Sequence, residues 1–149
     1  GALELKINID NPTVSTASRA FIDAAKGAQG WEGQVWEKTI TVPVITLDAL
    51  IQAHGIPSFV KIDVEGFEAE ALAGLTRPVE ALSFEFTTIQ RDVAERCIAR
   101  CQALGFRRYN AALGESQALG EWRSAEDIGR WLGQLPHAAN SGDIYARMA

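Results

Sequence analysis

Residues 59–70 read FVKIDVEGFEAE, an apolar run that meets two carboxylates and then breaks at a glycine. The apolar residues predict a buried strand, and the segment FEAEALAGL that begins at Phe67 predicts a helix because its apolar residues recur at helical spacing. Lys61 is unusual in a buried strand. Since side chains alternate along a strand, Lys61 and Asp63 point to the same face, with Cα atoms roughly 7 Å apart. An ion pair between them would allow the strand to accommodate the lysine.

Carboxylates follow two of the predicted strands at their carboxyl ends. Asp63 and Glu65 come at the end of the quoted strand, and Glu85 lies near the end of the next one, ALSFEF. Open α/β sheets bind ligands beyond the carboxyl ends of their strands. If the two strands are neighbours, the three carboxylates rim one crevice. The alternative is that Glu65, like the glutamates that follow it, only serves the first turn of a helix, where negative charge is favourable.

Strand-like and helix-like segments alternate along the middle of the chain. Strands are predicted at 2–9, 38–46, 58–64, 81–86, 106–113 and 142–148, and helices after Ser15 or Ser18, at 47–54 and 67–75, from Thr87 or Thr88 to 104, and at 124–133. This alternation predicts a single α/β domain over residues 1–149 with a largely parallel sheet, in which the last strand need not be parallel. Parallel sheets are covered on both faces, so we expect strands that are apolar on both sides.

The composition is that of an ordinary globular domain. The chain has 149 residues, 47% of them hydrophobic, and a formal net charge of −5. The negative charge argues against a nucleic-acid partner, which needs a basic face. No apolar run approaches the roughly 20 residues of a membrane span, and no signal peptide is visible, so we expect a cytoplasmic protein with no membrane partner. Cys97 and Cys101 lie four apart on a predicted helix and are expected to be reduced core thiols.

A family resemblance rests on the quoted segment and its surroundings. Residues 46–75 read TLDALIQAHGIPSFVKIDVEGFEAEALAGL, and together with ALSFEF (81–86) they closely resemble the FkbM family of S-adenosylmethionine-dependent methyltransferases. The segment KIDVEG (61–66) is the most specific part, NPTVSTAS (11–18) resembles a loop of one subgroup, and the resemblance extends over residues 3–110. It implies a Rossmann-like methyltransferase fold and transfer of a methyl group from S-adenosylmethionine to a hydroxyl oxygen of a small molecule or sugar.

The resemblance also implies that part of the cofactor site is absent from this chain. In the methyltransferase fold, a Gly-rich loop after the first strand supports the methionine part of the cofactor, and an acid after the second strand holds the ribose. Only Gly1 and Ala2 precede residue 3, and no G-x-G pattern occurs in the chain. The sequence therefore resembles the C-terminal half of the fold, without its first strands and its Gly-rich loop. We expect this chain alone to bind S-adenosylmethionine weakly or not at all.

The resemblance and the strand-end positions together suggest roles for four residues. Asp63 is the first choice for taking the proton of the acceptor hydroxyl or holding that hydroxyl, and it is also the residue expected to contact the cofactor. Glu65 and Glu85 would line the site, and Lys61 would orient Asp63 or stabilise developing oxyanion charge. Magnesium suits oxygen ligands such as Asp63 and Glu65, but two carboxylates are a weak signal, and no metal ligand is assigned.

Two other function classes stay open. The chain would fit a non-catalytic α/β interaction module derived from a methyltransferase, which binds a partner through an exposed sheet edge. An α/β enzyme that uses the same carboxylates with a metal, for instance in phosphoryl transfer, is disfavoured because no phosphate-binding Gly-rich loop is present.

The strand at 58–64 is expected to have a β-prone, apolar outer edge, and such edges pair readily with other strands. We expect this edge to be covered in one of two ways. Either a second copy of the chain pairs with it and forms a homodimer, or residues 2–9 or 38–46 fold back onto it.

Overall fold

The computed structural model describes residues 1–149 as six β-strands and five α-helices, with three short 3₁₀ turns. The strands are β1 (Ala2–Ile7), β2 (Lys38–Pro43), β3 (Phe59–Ile62), β4 (Ala81–Thr87), β5 (Arg108–Leu113) and β6 (Ser141–Arg147). The helices are α1 (Arg19–Ala25), α2 (Leu47–His54), α3 (Glu68–Ala73), α4 (Arg91–Ala103) and α5 (Ala125–Gln134). Each predicted strand and helix is present, with ends that differ by a few residues.

Helix starts follow the hydroxyl side chains of the sequence. Ser18, Thr46 and Ser124 each accept a hydrogen bond from the backbone amide three residues later, which satisfies one of the free amides of a helix N-terminus. The longest helix, α4, is different. It begins at Arg91 after a 3₁₀ turn over Thr88–Gln90 and has no side-chain cap, so the start predicted at Thr87 or Thr88 is wrong for the α-helical part.

The main sheet has four strands in the order β3-β4-β6-β5. β3 and β4 are parallel, whereas β6 lies between β4 and β5 and is antiparallel to both. Three strands therefore run in one direction and the last strand runs in the other. The α/β prediction is confirmed in this coarser form of a mixed sheet, in which only one pair of neighbours forms a parallel ladder.

One face of the sheet carries the hydrophobic core. Side chains from β3, β4 and β6 pack with side chains of α3, α4 and α5 in a single cluster of 20 buried residues. Positions on the other face alternate with these and include Lys61, Ser83, Glu85 and Asp143. The expectation of strands that are apolar on both sides is therefore wrong, because the second face holds a network of charged and polar groups.

The N-terminal segment forms a separate two-stranded ribbon. β1 and β2 pair with each other in antiparallel register and not with the main sheet. The prediction that residues 2–9 or 38–46 fold back onto the strand at 58–64 is therefore wrong, since each of the two segments already has the other as its partner. No strand of this chain pairs with the outer edge of β3, where Phe59 is 46% exposed.

The loop between β3 and α3 turns sharply against α1. Glu65 and Gly66 have φ angles of +50° and +87°, in the left-handed region that side chains disfavour. A Cβ on Gly66 would lie 2.4 Å from Gln90 Oε1 and 2.7 Å from Phe21 Cβ. Gly66 is therefore required both for the turn and for the close approach of α1.

Substitution of Gly66 tests this close approach. We expect Gly66→Ala to destabilise the fold by about 2–5 kcal/mol, because a left-handed alanine costs about 1–2 kcal/mol and overpacking adds about 1–3 kcal/mol. Gly33 is a matched control, since its φ is +78° but a Cβ there would meet nothing within 4 Å. Gly33→Ala should lower the stability only by the cost of a left-handed alanine, about 1–2 kcal/mol. Equal losses for the two variants in urea denaturation would contradict the packing described for Gly66.

The free edge of β3 predicts self-association. We expect the chain to sediment as a dimer at micromolar concentration, with an apparent stability that falls on dilution. Phe59→Lys should shift the chain to monomer by placing a charge on that edge. Ile9→Lys, a substitution at an apolar residue outside β3 that is at least as exposed as Phe59, should leave the dimer intact. A monomer at all concentrations, or equal effects of the two substitutions, would rule out pairing through β3.

Candidate active site

The register of the parallel strands brings three carboxylates together. Ile62 of β3 lies opposite Phe84 of β4, so the next residues, Asp63 and Glu85, come level at the same end of the sheet. Carboxylate oxygens of Asp63, Glu65 and Glu85 lie within 4.8 Å of one another. The expected convergence of the three residues is therefore present. The roles of these residues in chemistry stay predictions.

Lys61 is held by two carboxylates on the polar face of the sheet. Its ammonium lies 3.0 Å from Asp143 Oδ1 and 3.7 Å from Asp63 Oδ2. Burial would lower the pKa of Lys61, but the hydrogen bond and charge of Asp143, with the charges of Asp63 and Glu85, together raise it. The expected pairing of Lys61 with a carboxylate is confirmed. The closer partner of Lys61 is Asp143, which the sequence did not predict.

Asp143 is a nearly buried acid in the middle of β6. Its side chain is 10% exposed, and it lies opposite Glu85 in the antiparallel pair of β4 and β6. The only signal in the sequence is an aspartate inside an otherwise strand-like segment, SGDIYAR. An acid in a buried strand requires a partner, but the sequence could not show that β6 inserts beside β4 and brings Asp143 within reach of Lys61.

Glu68 holds the loop that carries the site. Its carboxylate accepts hydrogen bonds from the Val64 amide at 3.0 Å and from the Gly66 amide at 3.0 Å. The sequence suggested only a favourable position in the first turn of a helix, yet the residue is 2% exposed. Thr16, which is fully buried in the ribbon-to-α1 segment, donates its hydroxyl hydrogen to the carbonyl oxygen of Glu65. The loop is therefore fixed from both sides.

Burial and crowding make these carboxylates hold protons more tightly than usual. Burial, with the negative charges of Asp63 and Glu68, raises the pKa of Glu65 to about 7. The pKa of Glu85 is also raised far above its usual value, first by burial and then by the charges of Glu65 and Asp63. Burial raises the pKa of Glu68 despite its hydrogen bonds to the loop amides. Near neutral pH the cluster can therefore both accept and donate protons.

A cleft of about 780 Å³ opens onto the carboxylates. Four of its 16 lining residues are acidic and none is basic. The acidic residues are Asp63, Glu65, Glu85 and Glu115, and the apolar part of the lining includes Leu3, Leu5, Val14, Trp31 and Phe67. The three clustered carboxylates are close enough to contact one cation, although acidic groups often cluster without one. The cleft suits a ligand that has apolar surface and positive or neutral polar groups.

The family follows from comparison with known sequences. The sequence model of a family described as "Methyltransferase FkbM domain" matches residues 5–128. The chain belongs to the FkbM methyltransferase family. The resemblance noted above is confirmed, and the match extends past residue 110 into α5. At the level of the family, this FkbM chain is a methyltransferase domain.

One curated relative of this FkbM chain is a hexuronic acid methyltransferase, AglP, from Haloferax volcanii. It is 27% identical over 88 residues, which cover 58% of this chain and 37% of the relative. No solved structure matches the chain. None of the helices of the FkbM chain has the length and the apolar character that crossing a bilayer requires.

The raised pKa of Glu85 predicts that this FkbM chain loses stability as pH rises. The folded chain holds a proton on Glu85 well above the usual pKa of 4.5, whereas the unfolded chain releases it there. This contribution to stability is complete below about pH 4.5 and declines as pH rises towards the pKa of the folded state. Glu85→Gln removes the effect, so the variant should melt several degrees above wild type at pH 8.

The difference in melting temperature between Glu85→Gln and wild type should shrink as pH falls from 8 to 4.5. Glu95→Gln is the matched control, because Glu95 is an exposed residue of α4 outside the cleft. Melting curves measured by circular dichroism at several pH values give the comparison. A Glu85→Gln variant that is no more stable than the control at pH 8 would contradict the burial of an ionisable Glu85 beside two other acids.

Proposed function

We propose that this FkbM chain forms the acceptor side of an S-adenosylmethionine-dependent O-methyltransferase that acts on a hydroxyl of a small molecule or sugar. The observation that carries the proposal is the cleft in which Glu65, with its pKa raised to about 7, lies among two other carboxylates. A base with a pKa near the working pH is well suited to removing a proton from a hydroxyl. Membership of the family supplies the reaction class.

The lining of the cleft fits the cofactor that the family implies. S-adenosylmethionine carries a positive sulfonium, and a lining with acidic and no basic residues suits it, with Glu85 adding little of the negative charge because its raised pKa keeps it largely protonated near neutral pH. The volume is within the range of about 300–1,000 Å³ that is usual for small-molecule sites. Asp63 is the residue we expect to contact the cofactor. When bound, the cofactor supplies an electrophilic methyl group, and this chain has to prepare the acceptor oxygen.

We assign the proton-accepting role to Glu65, whereas the sequence had favoured Asp63. Glu65 is more buried than Asp63, and burial raises its pKa, so it can accept a proton from the acceptor hydroxyl near neutral pH. Asp63 and Glu85 would hold the acceptor hydroxyl by hydrogen bonds. Lys61 has its ammonium engaged by Asp143, so its role would be to keep Asp63 in place and not to stabilise an oxyanion.

The charge of the cleft supports an acceptor with no negative charge near the reacting hydroxyl. One unpaired negative charge about 6 Å from one carboxylate costs ~3 kcal/mol at an effective dielectric constant of about 20. The printed name of the relative AglP says that it acts on a hexuronic acid. For this chain we favour a neutral or amine-bearing sugar over a uronic acid, because no basic residue lines the cleft.

Other parts of the proposal concern fold and location. We propose that the main sheet belongs to a Rossmann-like methyltransferase sheet, supported by the parallel β3-α3-β4 unit and the family match. We also propose a cytoplasmic site of action, with which two buried free cysteines are compatible. The net charge of −5 supports a small-molecule partner over a nucleic acid.

The role of Glu65 is tested by methyl transfer from labelled S-adenosylmethionine in the full-length protein. We expect Glu65→Gln to lower kcat by about 10²–10⁴-fold, the usual contribution of a general base. The wild-type rate should rise with pH, reach half of its maximum near pH 7 and level off above that, as Glu65 becomes ionised. Glu95→Gln should behave as wild type. A Glu65→Gln variant with normal kcat and an unchanged pH profile would remove Glu65 from the mechanism.

Acceptor charge and cofactor binding give a second test. A neutral sugar should be methylated with kcat/KM at least tenfold above that of the matching uronic acid, and the reverse order would contradict the charge argument. In calorimetry, S-adenosylmethionine should bind the full-length protein but bind this chain alone weakly or not at all. If the full-length protein neither binds the cofactor nor transfers a methyl group, the non-catalytic interaction module is the better description.

A further inference from the structure

The backbone of the loop at Val64–Gly66 is held in a disfavoured conformation by groups outside it. Glu65 has a φ angle of +50°, although it has a side chain that favours negative φ. The amides on both sides of Glu65 donate to the Glu68 carboxylate, and the carbonyl of Glu65 accepts from Thr16. This backbone conformation sets the direction in which the Glu65 side chain leaves the loop. Glu68 and Thr16 therefore hold the backbone segment from which the Glu65 side chain extends.

Burying the carboxylate of Glu68 is energetically unfavourable, and packing alone would not require a charged residue at this position. It is 2% exposed, and no arginine, lysine or histidine forms a salt bridge with it. A buried carboxylate without a cation is unfavourable unless hydrogen bonds satisfy its oxygens. Here the donors are the amides of Val64 and Gly66, both in the loop that carries the acidic cluster. The hydrogen bonds that offset the cost of burying Glu68 therefore come from the loop that carries the acidic cluster.

We propose that Glu68 is a positioning residue for methyl transfer, which acts by fixing the Val64–Gly66 loop so that Glu65 reaches the acceptor. The inference rests on the proposed function of Glu65 as the proton acceptor. Glu68 itself contacts no acceptor, because it faces the loop backbone and does not line the cleft. A shift of about 1 Å in a reacting group can lower the rate on the order of 10²-fold. Loosening the loop should therefore lower kcat more than it changes KM.

Two substitutions of Glu68 distinguish the effect of its side-chain length from that of its negative charge, and a third at Glu70 is the control. Glu68→Asp keeps the negative charge but is one methylene shorter, so it should lose the bonds to the loop amides. Glu68→Gln keeps the length and one carbonyl oxygen, and Oε1 of Glu68 already lies 3.0 Å from the Val64 amide and 3.3 Å from the Gly66 amide. It should retain part of the function. Glu70→Gln is the control on the same helix, since Glu70 is exposed and pairs only with Arg96.

The first test measures amide exchange and the pKa of Glu65, neither of which requires methyl-transfer activity. In Glu68→Asp the amides of Val64 and Gly66 should exchange with solvent at least tenfold faster than in wild type, with the β4–β6 amides unchanged. The pKa of Glu65, followed by carboxyl NMR, should fall towards its usual value as water enters the loop, although residue 68 keeps its charge. Glu68→Gln should show smaller changes in exchange, and Glu70→Gln none. Wild-type exchange and titration in Glu68→Asp would overturn the proposal.

The second readout is kinetic and uses the full-length protein. Glu68→Asp should lower kcat at least tenfold with KM for the acceptor within threefold, and Glu68→Gln should recover part of kcat. A loosened loop with unchanged kcat, measured well below the melting temperature, would show that Glu68 has only a structural role. If wild type transfers no methyl group while the loop and Glu65 respond as described, the proposed function fails, and the control of Glu65 by Glu68 stands.

Discussion

Burial of acidic side chains, reinforced by like charges within 4.8 Å of one another, dominates the energetics of this site. Asp63, Glu65 and Glu85 converge because the parallel pairing of β3 and β4 brings their carboxyl ends level. Partly buried carboxylates at this spacing cannot all be ionised without strong repulsion, so protons are retained at a pH where glutamate is normally charged. This unfavourable arrangement lies where the cleft opens to solvent. Acids with perturbed pKa values are common in functional sites of this kind.

Elements far apart in the sequence keep the cluster in place. Asp143 of β6 binds Lys61 of β3 across the intervening strand, and Thr16 and Glu68 fix the loop that carries Glu65. Each of these contacts satisfies a buried polar group that would otherwise destabilise the fold. Positions that serve the site are thus also positions on which stability depends. A substitution there changes geometry and charge together, which is why variants that separate the two are needed.

Much of the fold could be predicted from the sequence because its signals are local. Strand-like and helix-like segments alternate, hydroxyl residues mark helix starts, and KIDVEG places Asp63 and Glu65 beyond a strand. Pairing between distant segments has no local signal. Nothing in SGDIYAR indicates that β6 enters between β4 and β5, so Asp143 could not be assigned as the partner of Lys61. Glu68 lies in the first turn of α3 as expected, but its hydrogen bonds to the loop amides could not be foreseen, because a helix-start position and backbone hydrogen bonding favour the same residue types.

The central claim is that the folded chain raises the pKa of Glu65 and Glu85. Glu65 is a useful base near neutral pH only if its pKa is raised. The most direct measurement is a carboxyl ¹³C NMR titration of the wild-type chain with Glu65 and Glu85 assigned. We predict that Glu65 titrates at about 7 and that Glu85 titrates well above the usual glutamate value. Titration of both groups near 4.5 would contradict the claim, since it would mean that the carboxylates are solvated and too far apart to affect one another.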